Sequence, residues 1–234
     1  MSEDGFKTKL VRAVSRADHW IGPNLCRRPM RFGYWFVGSF VRMLFRIVFG
    51  MRILEIGNVP RTGRLLIVAN HTSNLDPPII GCTVPREIHF AAKIQLFKGV
   101  LGKLISYLNA MPIRRTGSDK DAIKRLVGVL RDEGALLMFP EGTRQKDGSG
   151  GEAKAGPGMV ATLGKADVLP IKLSGTSKPK YAFFHRGTMA IRYGEVIPFA
   201  EISAAAKELA GPDAGKKEIY QALSDVAMEH VRAL

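Results

Sequence analysis

From Pro60 onward the chain alternates short apolar runs with amphipathic stretches, and few folds accommodate that alternation. Leu65–Ala69 is a compact apolar run, short enough to be a strand buried inside a sheet. Residues 135–139 and 168–173 form similar runs, and 87–92, 110–113 and 188–193 read as further strands. Between them lie helical patterns. Residues 94–108 have helical spacing, and 119–132 carry Ile123, Leu126, Val127 and Leu130 at steps of three and four, with Gly134 as the expected C-terminal cap. Asp76, Pro77 and Pro78 read as a helix start, with Asp at the N-cap and Pro in the first turn. Residues 158–165 and 216–234 complete the helices, and 145–152 are a loop by composition. Strands alternating with helices predict an α/β domain, a layered sheet flanked by helices. The 234 residues suit one such domain over 55–234 plus an N-terminal helical extension over 1–54, without internal repeats.

Charge is concentrated in that extension. The whole chain has 35 Lys+Arg against 21 Asp+Glu, a net charge of +14, which calls for a polyanionic partner. Within residues 1–54 the acidic residues are Glu3, Asp4 and Asp18 alone, while arginines recur among large aromatics such as Trp20, Trp35, Phe36 and Phe40. Basic and aromatic residues interleaved in this way read as an amphipathic segment lying in a membrane surface. Residues 32–50 approach the length of a membrane span, but Arg42 and Arg46 interrupt it. Each arginine near a bilayer centre costs roughly 2.5–3.5 kcal/mol, and two of them four residues apart share one helix face. A helix lying at the interface keeps both wet. The residues also permit a solvated basic face packed on the domain. Cys26 and Cys82 are far apart and outside any CxxC pattern, which fits a reducing compartment. The acidic first residues lack an apolar core, so no signal peptide is read.

Two segments stand directly after predicted strands, where α/β folds carry their reactive groups. The first runs Asn70, His71, Thr72, Ser73, Asn74, Leu75, Asp76. A histidine and an aspartate five apart do not share a helix face, because five steps rotate by about 140°. In a tight turn that leads into a helix, however, the carboxylate folds back to the imidazole. Asp then holds the ring while its other nitrogen takes a proton from a hydroxyl. On the residues alone, Asp76 before Pro77 serves equally as a helix cap. The second segment runs Phe139, Pro140, Glu141, Gly142, Thr143, Arg144. Its glycine permits a tight turn, its arginine offers a donor fork matched to phosphate, and its glutamate accepts from hydroxyls. A surface ion pair between Glu141 and Arg144 is the plainer reading. Arg114, Arg115 and Lys154 are further candidates for phosphate contacts.

Other chemistries find no support. The five histidines are scattered without HExxH or partnered cysteines, so no metal site is read. There is no P-loop and no GxSxG nucleophile elbow. Signatures of an RNA-recognition fold, a zinc finger or a basic recognition helix are also missing, so nucleic acid is not the expected partner.

Taken together, these segments resemble the glycerolipid acyltransferase family, whose typical member is 1-acylglycerol-3-phosphate acyltransferase. Residues 70–76 match its NHxSxxD block, and Phe139 to Arg144 its FPEGTR block. Met111, Pro112, Ile113, Arg114 and Arg115 resemble its second block, with Arg115 at the arginine position. Val168, Leu169, Pro170 and Ile171 resemble the fourth. The likeness covers roughly 55–198. Ala110, Arg114, Gln145 and Ala153 depart from the residues that many members carry there, all around the acceptor positions.

The resemblance implies that His71 is the general base and Asp76 its orienter. It implies that Arg115, Glu141, Gly142, Thr143, Arg144 and Lys154 form the acceptor and phosphate site. The implied reaction carries a fatty acyl group from a thioester, acyl-CoA or acyl carrier protein, to the hydroxyl of lysophosphatidic acid, giving phosphatidic acid. It needs neither a cofactor nor an acyl-enzyme. Glycerol 3-phosphate or a lyso-aminolipid is the alternative acceptor, and a basic lipid- or nucleic-acid-binding module without chemistry the alternative class. The expected partners are the lysophospholipid, the acyl donor and an anionic membrane surface. The expected place is the cytoplasmic face of a membrane, as a monotopic or peripheral protein.

Overall fold

The structure is a computed structural model that describes residues 30–113, 120–145 and 151–234. Arg114, Arg115 and the basic residues before Met30 lie outside the described residues. Seven strands form one sheet: β1 (Arg52–Leu54), β2 (Leu65–Ala69), β3 (Ile88–Lys93), β4 (Ala110–Ile113), β5 (Ala135–Met138), β6 (Asp167–Ser174) and β7 (Ala190–Tyr193). Their spatial order is β1-β7-β6-β2-β5-β3-β4. The five strands from β6 to β4 are parallel, and β7 runs antiparallel to β6 with β1 parallel to β7 at the edge. Eight helices are described: α1 (Phe32–Phe49), α2 (Asp76–Thr83), α3 (Gly99–Tyr107), α4 (Lys120–Arg131), α5 (Ala155–Gly164), α6 (Pro179–Phe184), α7 (Phe199–Ala210) and α8 (Lys216–Ala233). The α/β class and the flanking helices agree with the sequence pattern.

The central strand explains why the apolar runs carry no polar alternation. Side chains of β2 point to opposite faces in turn, and both faces are covered, so all five residues are buried. Leu66 and Val68 join Leu136 and Val168 under α4, α5, α7 and α8. Leu65, Ile67 and Ala69 join Leu137, Leu169 and Ile191 beneath α2, with Phe45 of α1 and Ala182 of α6 in the same cluster. Helix α1 is therefore an outer layer on the second face. It is fastened at both ends. Arg31 pairs with Glu87 at 2.9 Å and reaches the Asn109 side chain, and the Gly187 N–H donates to the Phe49 carbonyl.

Several boundaries differ from the sequence pattern, each for a local reason. Residues 94–108 are a 3-10 turn followed by α3, because Gly99 at φ +60° breaks the helical path. After α4 the left-handed residue is Glu133, not Gly134. Gly134 donates to the Val129 carbonyl, and a side chain there would meet that oxygen at 2.7 Å. Asp76 does not cap its own helix: α2 begins at Asp76 with Leu75 in the N-cap position, and the carboxylate turns back into the preceding loop. Strand β1 and helices α6 and α7 had no counterpart in the pattern. Strand β1 lies within the segment assigned to the extension, yet it pairs with β7.

Pro170 in a central strand also has a reason. On the β7 side of Pro170 the chain swings out, so its carbonyl accepts from the Gly194 N–H and no partner there needs a donor from residue 170. Val168 pairs again with Ile197 beyond this bulge.

Helices α5 and α8 cross in close contact through Gly158. Its N–H, near the unpaired start of α5, donates to the buried Ser224 hydroxyl at 2.9 Å. A Cβ at residue 158 would lie 1.9 Å from the Tyr220 carbonyl oxygen. Gly158→Ala should force the helices apart and cost about 1–3 kcal/mol, the usual range for overpacking. Urea denaturation monitored by circular dichroism measures this, and an unchanged midpoint would contradict the close approach.

Candidate active site

The carboxyl ends of β2, β5, β3 and β4 lie on one edge of the sheet, because these strands are parallel. The loop after β2 carries His71, the loop after β5 carries Glu141 to Arg144, and β4 ends at Ile113, just before Arg114 and Arg115. The order of strands, not closeness in sequence, gathers these segments.

Asp76 organises the first loop. It is completely buried, and its Oδ2 accepts from the Thr72 N–H at 2.7 Å, the Ser73 N–H at 2.7 Å and His71 Nδ1 at 2.9 Å. Two converging peptide donors suit a carboxylate oxygen, which accepts several short hydrogen bonds. The peptide donors occupy the same oxygen that faces the ring, so Nδ1 is the nitrogen that donates. The His71 ring stacks on Phe139 with centroids 4.1 Å apart and planes at 20°, and its side chain keeps 14% of its surface open. Stacking and one directed hydrogen bond together fix the plane and the rotation of the ring. An imidazole held in this way is the kind of group that can accept a proton from a hydroxyl brought to Nε2.

Glu141 is buried, and its Oε2 accepts the His71 backbone N–H at 3.2 Å. The Gln145 N–H donates to the His71 carbonyl at 2.8 Å. The two loops are thus tied together on both sides of the His71 backbone. Gly142 turns the second loop at φ +67°, a conformation that favours glycine. The Lys154 side chain lies over it, 3.1 Å from where a Cβ would stand, and the Lys154 N–H donates to the Pro140 carbonyl. Lys154 therefore joins the second loop although nine residues separate it from Arg144. Thr143 and Arg144 are exposed beside it. Thus the structure brings His71, Asp76, Glu141, Gly142, Thr143, Arg144 and Lys154 to one edge, while Arg115 lies outside the described residues. Among the described residues no group of His, Cys, Asp and Glu is arranged to hold a metal ion.

The roles of three supports of this site were not legible in the sequence, although Asn70 and Phe139 open the two segments singled out there. The Asn70 side chain exchanges two hydrogen bonds with the Leu173 backbone, extending the β2–β6 ladder with an amide in place of a peptide. The Thr72 hydroxyl meets that of buried Thr176 at 2.8 Å, across 104 residues of chain. The ring of Phe139 is legible as an apolar strand residue but not as a platform for an imidazole.

A protein-family model described as Acyltransferase matches residues 51–174, more than half of the chain and the whole of this edge. The chain belongs to the acyltransferase family. This acyltransferase is 26% identical over 172 residues to the 1-acyl-sn-glycerol-3-phosphate acyltransferase of Bacillus subtilis, covering 73% of this chain and 85% of that one. It is 34% identical over 114 residues to a chloroplast enzyme of the same name from Arabidopsis thaliana, covering 47% of this chain and 32% of that longer one. Its fold is similar to the crystal structure of the 1-acyl-sn-glycerophosphate acyltransferase PlsC from Thermotoga maritima. The TM-score is 0.65 at 25% identity, over 86% of this chain and 78% of that one.

Burial pushes the Glu141 carboxyl above its ordinary 4.5, against the opposing pull of the His71 and Gly151 backbone N–H groups. A carboxyl whose pKa is raised by folding binds its proton more tightly in the folded chain. Its contribution to stability is therefore present below the ordinary value and lost as the pH rises through the raised one. Glu141→Gln removes this titration. The melting temperature of the Gln variant relative to the parent should climb across that window and level off above it. A difference that stays constant with pH would contradict the shift.

Proposed function

We propose that this acyltransferase is a 1-acyl-sn-glycerol-3-phosphate O-acyltransferase that makes phosphatidic acid at a membrane surface. The observation that carries the reading is the His71–Asp76 pair at 2.9 Å, at the end of the central strand and inside the family's matched region. The names of the relatives supply the acceptor.

In this mechanism Asp76 holds the Nδ1–H tautomer, and His71 Nε2 takes the proton of the lysophosphatidic acid hydroxyl. The acceptor oxygen attacks the thioester carbonyl, a new C–O ester bond forms and the C–S bond breaks. The proton held on Nε2 passes to the departing thiolate, so the imidazole ends as it began. No side chain is acylated and no cofactor takes part. The donor is an acyl thioester, on coenzyme A or acyl carrier protein. Arg144, Arg115 and Lys154 receive the acceptor phosphate, the arginines through a bidentate fork and the lysine as a point charge. Gly142 and Thr143 shape the turn that presents them. Glu141 acts on the His71 backbone from its buried position, which makes it a positioning residue in this reading.

The membrane part of the proposal rests on α1. It is long and apolar enough to cross a bilayer by length and composition, yet it lies along α2 and is fastened at both ends to the domain. Phe32, Trp35, Phe36, Phe40, Met43 and Ile47 are exposed on its outer side, with Arg42 and Arg46 on one shoulder. A helix so mounted suits the interface plane, with aromatics in the headgroup layer and arginines at anionic lipid.

The test is acyl transfer by the purified protein, with both donors, to lysophosphatidic acid, glycerol 3-phosphate and a lyso-aminolipid. His71→Ala should lose at least about a thousand-fold in turnover and Asp76→Asn a substantial part of it, while folding is kept. Arg144→Ala and Arg115→Ala should raise KM for the phosphorylated acceptor more than KM for the donor. Near-normal turnover in folded His71→Ala would sink the mechanism, and equal use of an acceptor lacking phosphate would sink the assigned acceptor.

A further inference from the structure

Exposed large apolar side chains are unevenly distributed over this protein. Apart from Leu163, all those on the described surface fall in three stretches, residues 32–47, 94–107 and 181–184. The sequence around each stretch is free of acid: residues 30–54, 88–118 and 168–194 contain no Asp or Glu at all. The first stretch is α1. The second is α3 with the turn before it, where Val100 is 84% exposed and Leu101 and Leu104 stand beside it. The third is α6, where Phe184 is 79% exposed and Phe183 and Tyr181 are about half exposed.

These elements adjoin one another. At the start of α1, Gly33 abuts the Tyr107 hydroxyl at the end of α3, and the Arg31 guanidinium lies over the Tyr107 ring. At its far end, the Phe49 carbonyl accepts from Gly187, three residues past α6, and Ala182 is buried in the cluster that holds Phe45. Helix α1 thus runs from α3 to α6. Exposed lysines accompany both flanks, Lys98 just before α3 and Lys103 on it, Lys178 just before α6 and Lys180 on it.

We infer that α3 and α6 are second and third bilayer contacts, one at each end of α1, and that together they form a lipid-facing platform. This rests on the membrane reading of α1 given above. A second copy of this chain would set lysine against lysine with no acid to answer it, whereas anionic headgroups complement the surface. Aromatic and aliphatic side chains ringed by basic ones are also the composition of interfacial segments. The platform has a consequence for substrate delivery. Thr176, hydrogen-bonded to Thr72 next to His71, lies three residues before α6, so an element seated in the headgroup layer connects directly to the base.

The test uses three variants of the full chain, each with a single tryptophan. Trp20→Phe alone keeps Trp35; Trp20→Phe with Trp35→Phe is combined with either Val100→Trp or Phe184→Trp. Fluorescence is followed on vesicles of phosphatidylcholine and phosphatidylglycerol that contain lipid brominated near the headgroup. The tryptophan should be quenched in all three variants. Quenching at residue 35 with none at 100 or at 184 overturns the platform and leaves the reading of α1 intact. No quenching at any site overturns both. Quenching at 100 and 184 without 35 supports the two flanking contacts and overturns the reading of α1. A blue shift in the Phe184→Trp variant that grows with protein concentration without vesicles would assign the surface to self-association and overturn the proposal. In a second measurement, the double change Phe183→Ser with Phe184→Ser should weaken vesicle binding on the order of ten-fold. It should leave transfer between short, soluble substrates unchanged. Unaltered vesicle binding by that variant would overturn the contact at α6.

Discussion

One buried oxygen, Oδ2 of Asp76, determines the shape of the reactive edge. A carboxylate taken wholly out of water costs several kcal/mol unless polar partners replace its hydration. At Oδ2 the replacements are the Thr72 and Ser73 peptide N–H groups and the His71 ring, while the buried Oδ1 has no hydrogen-bond partner. To bring all three to one atom, the chain must turn tightly after β2 and enter α2 at Asp76 itself. The same requirement points the imidazole at the carboxylate and leaves its other nitrogen outward. Loop, helix start and ring orientation are thus parts of one arrangement.

The sheet supplies what this loop cannot. Parallel strands put their carboxyl ends on one edge, so residues 70 positions apart meet there without any signal in the chain between them. Glu141 holds the His71 N–H and Gln145 the His71 carbonyl, which joins the two loops as a further strand pairing would. Asn70 fastens the first loop to β6 on its other side, and Thr72 fastens it to Thr176, just past the end of β6. His71 therefore sits between three strands and is tied to no one of them alone. That is the kind of rigidity the proposed proton transfer needs, since small displacements of a base are costly in rate.

Legibility in the sequence followed the range of the interaction. The buried strands and the amphipathic α4 were evident because their periodicity is local, and the two reactive segments because they follow those strands directly. Asp76 was ambiguous: the sequence around Pro77 fits a helix cap, and only the fold shows its carboxylate turned back to Thr72 and Ser73. Strand β1 spans three residues, too few to display a period, and it exists because β7 offers it an edge. The break before α3 depended on the backbone angle of Gly99, which a spacing rule does not see. Thr176 had no local mark, because its partner is 104 residues away. Lys154 was a candidate by composition, but its position over Gly142 follows from how the chain returns after the second loop.

The central claim is that Asp76 fixes the tautomer of His71, with the proton on Nδ1 and a bare Nε2 toward the acceptor. Nitrogen NMR of protein labelled in its histidine rings measures this directly, with His71 assigned by its loss in the His71→Ala variant. At a pH where the ring is neutral, the account predicts a His71 signal with a proton on Nδ1, shifted downfield by its hydrogen bond, and an unprotonated Nε2. Replacing Asp76 by Asn should collapse that preference. A proton on Nε2 with a bare Nδ1 in the parent protein would contradict the account, because the ring would then present a donor where the reaction requires a base.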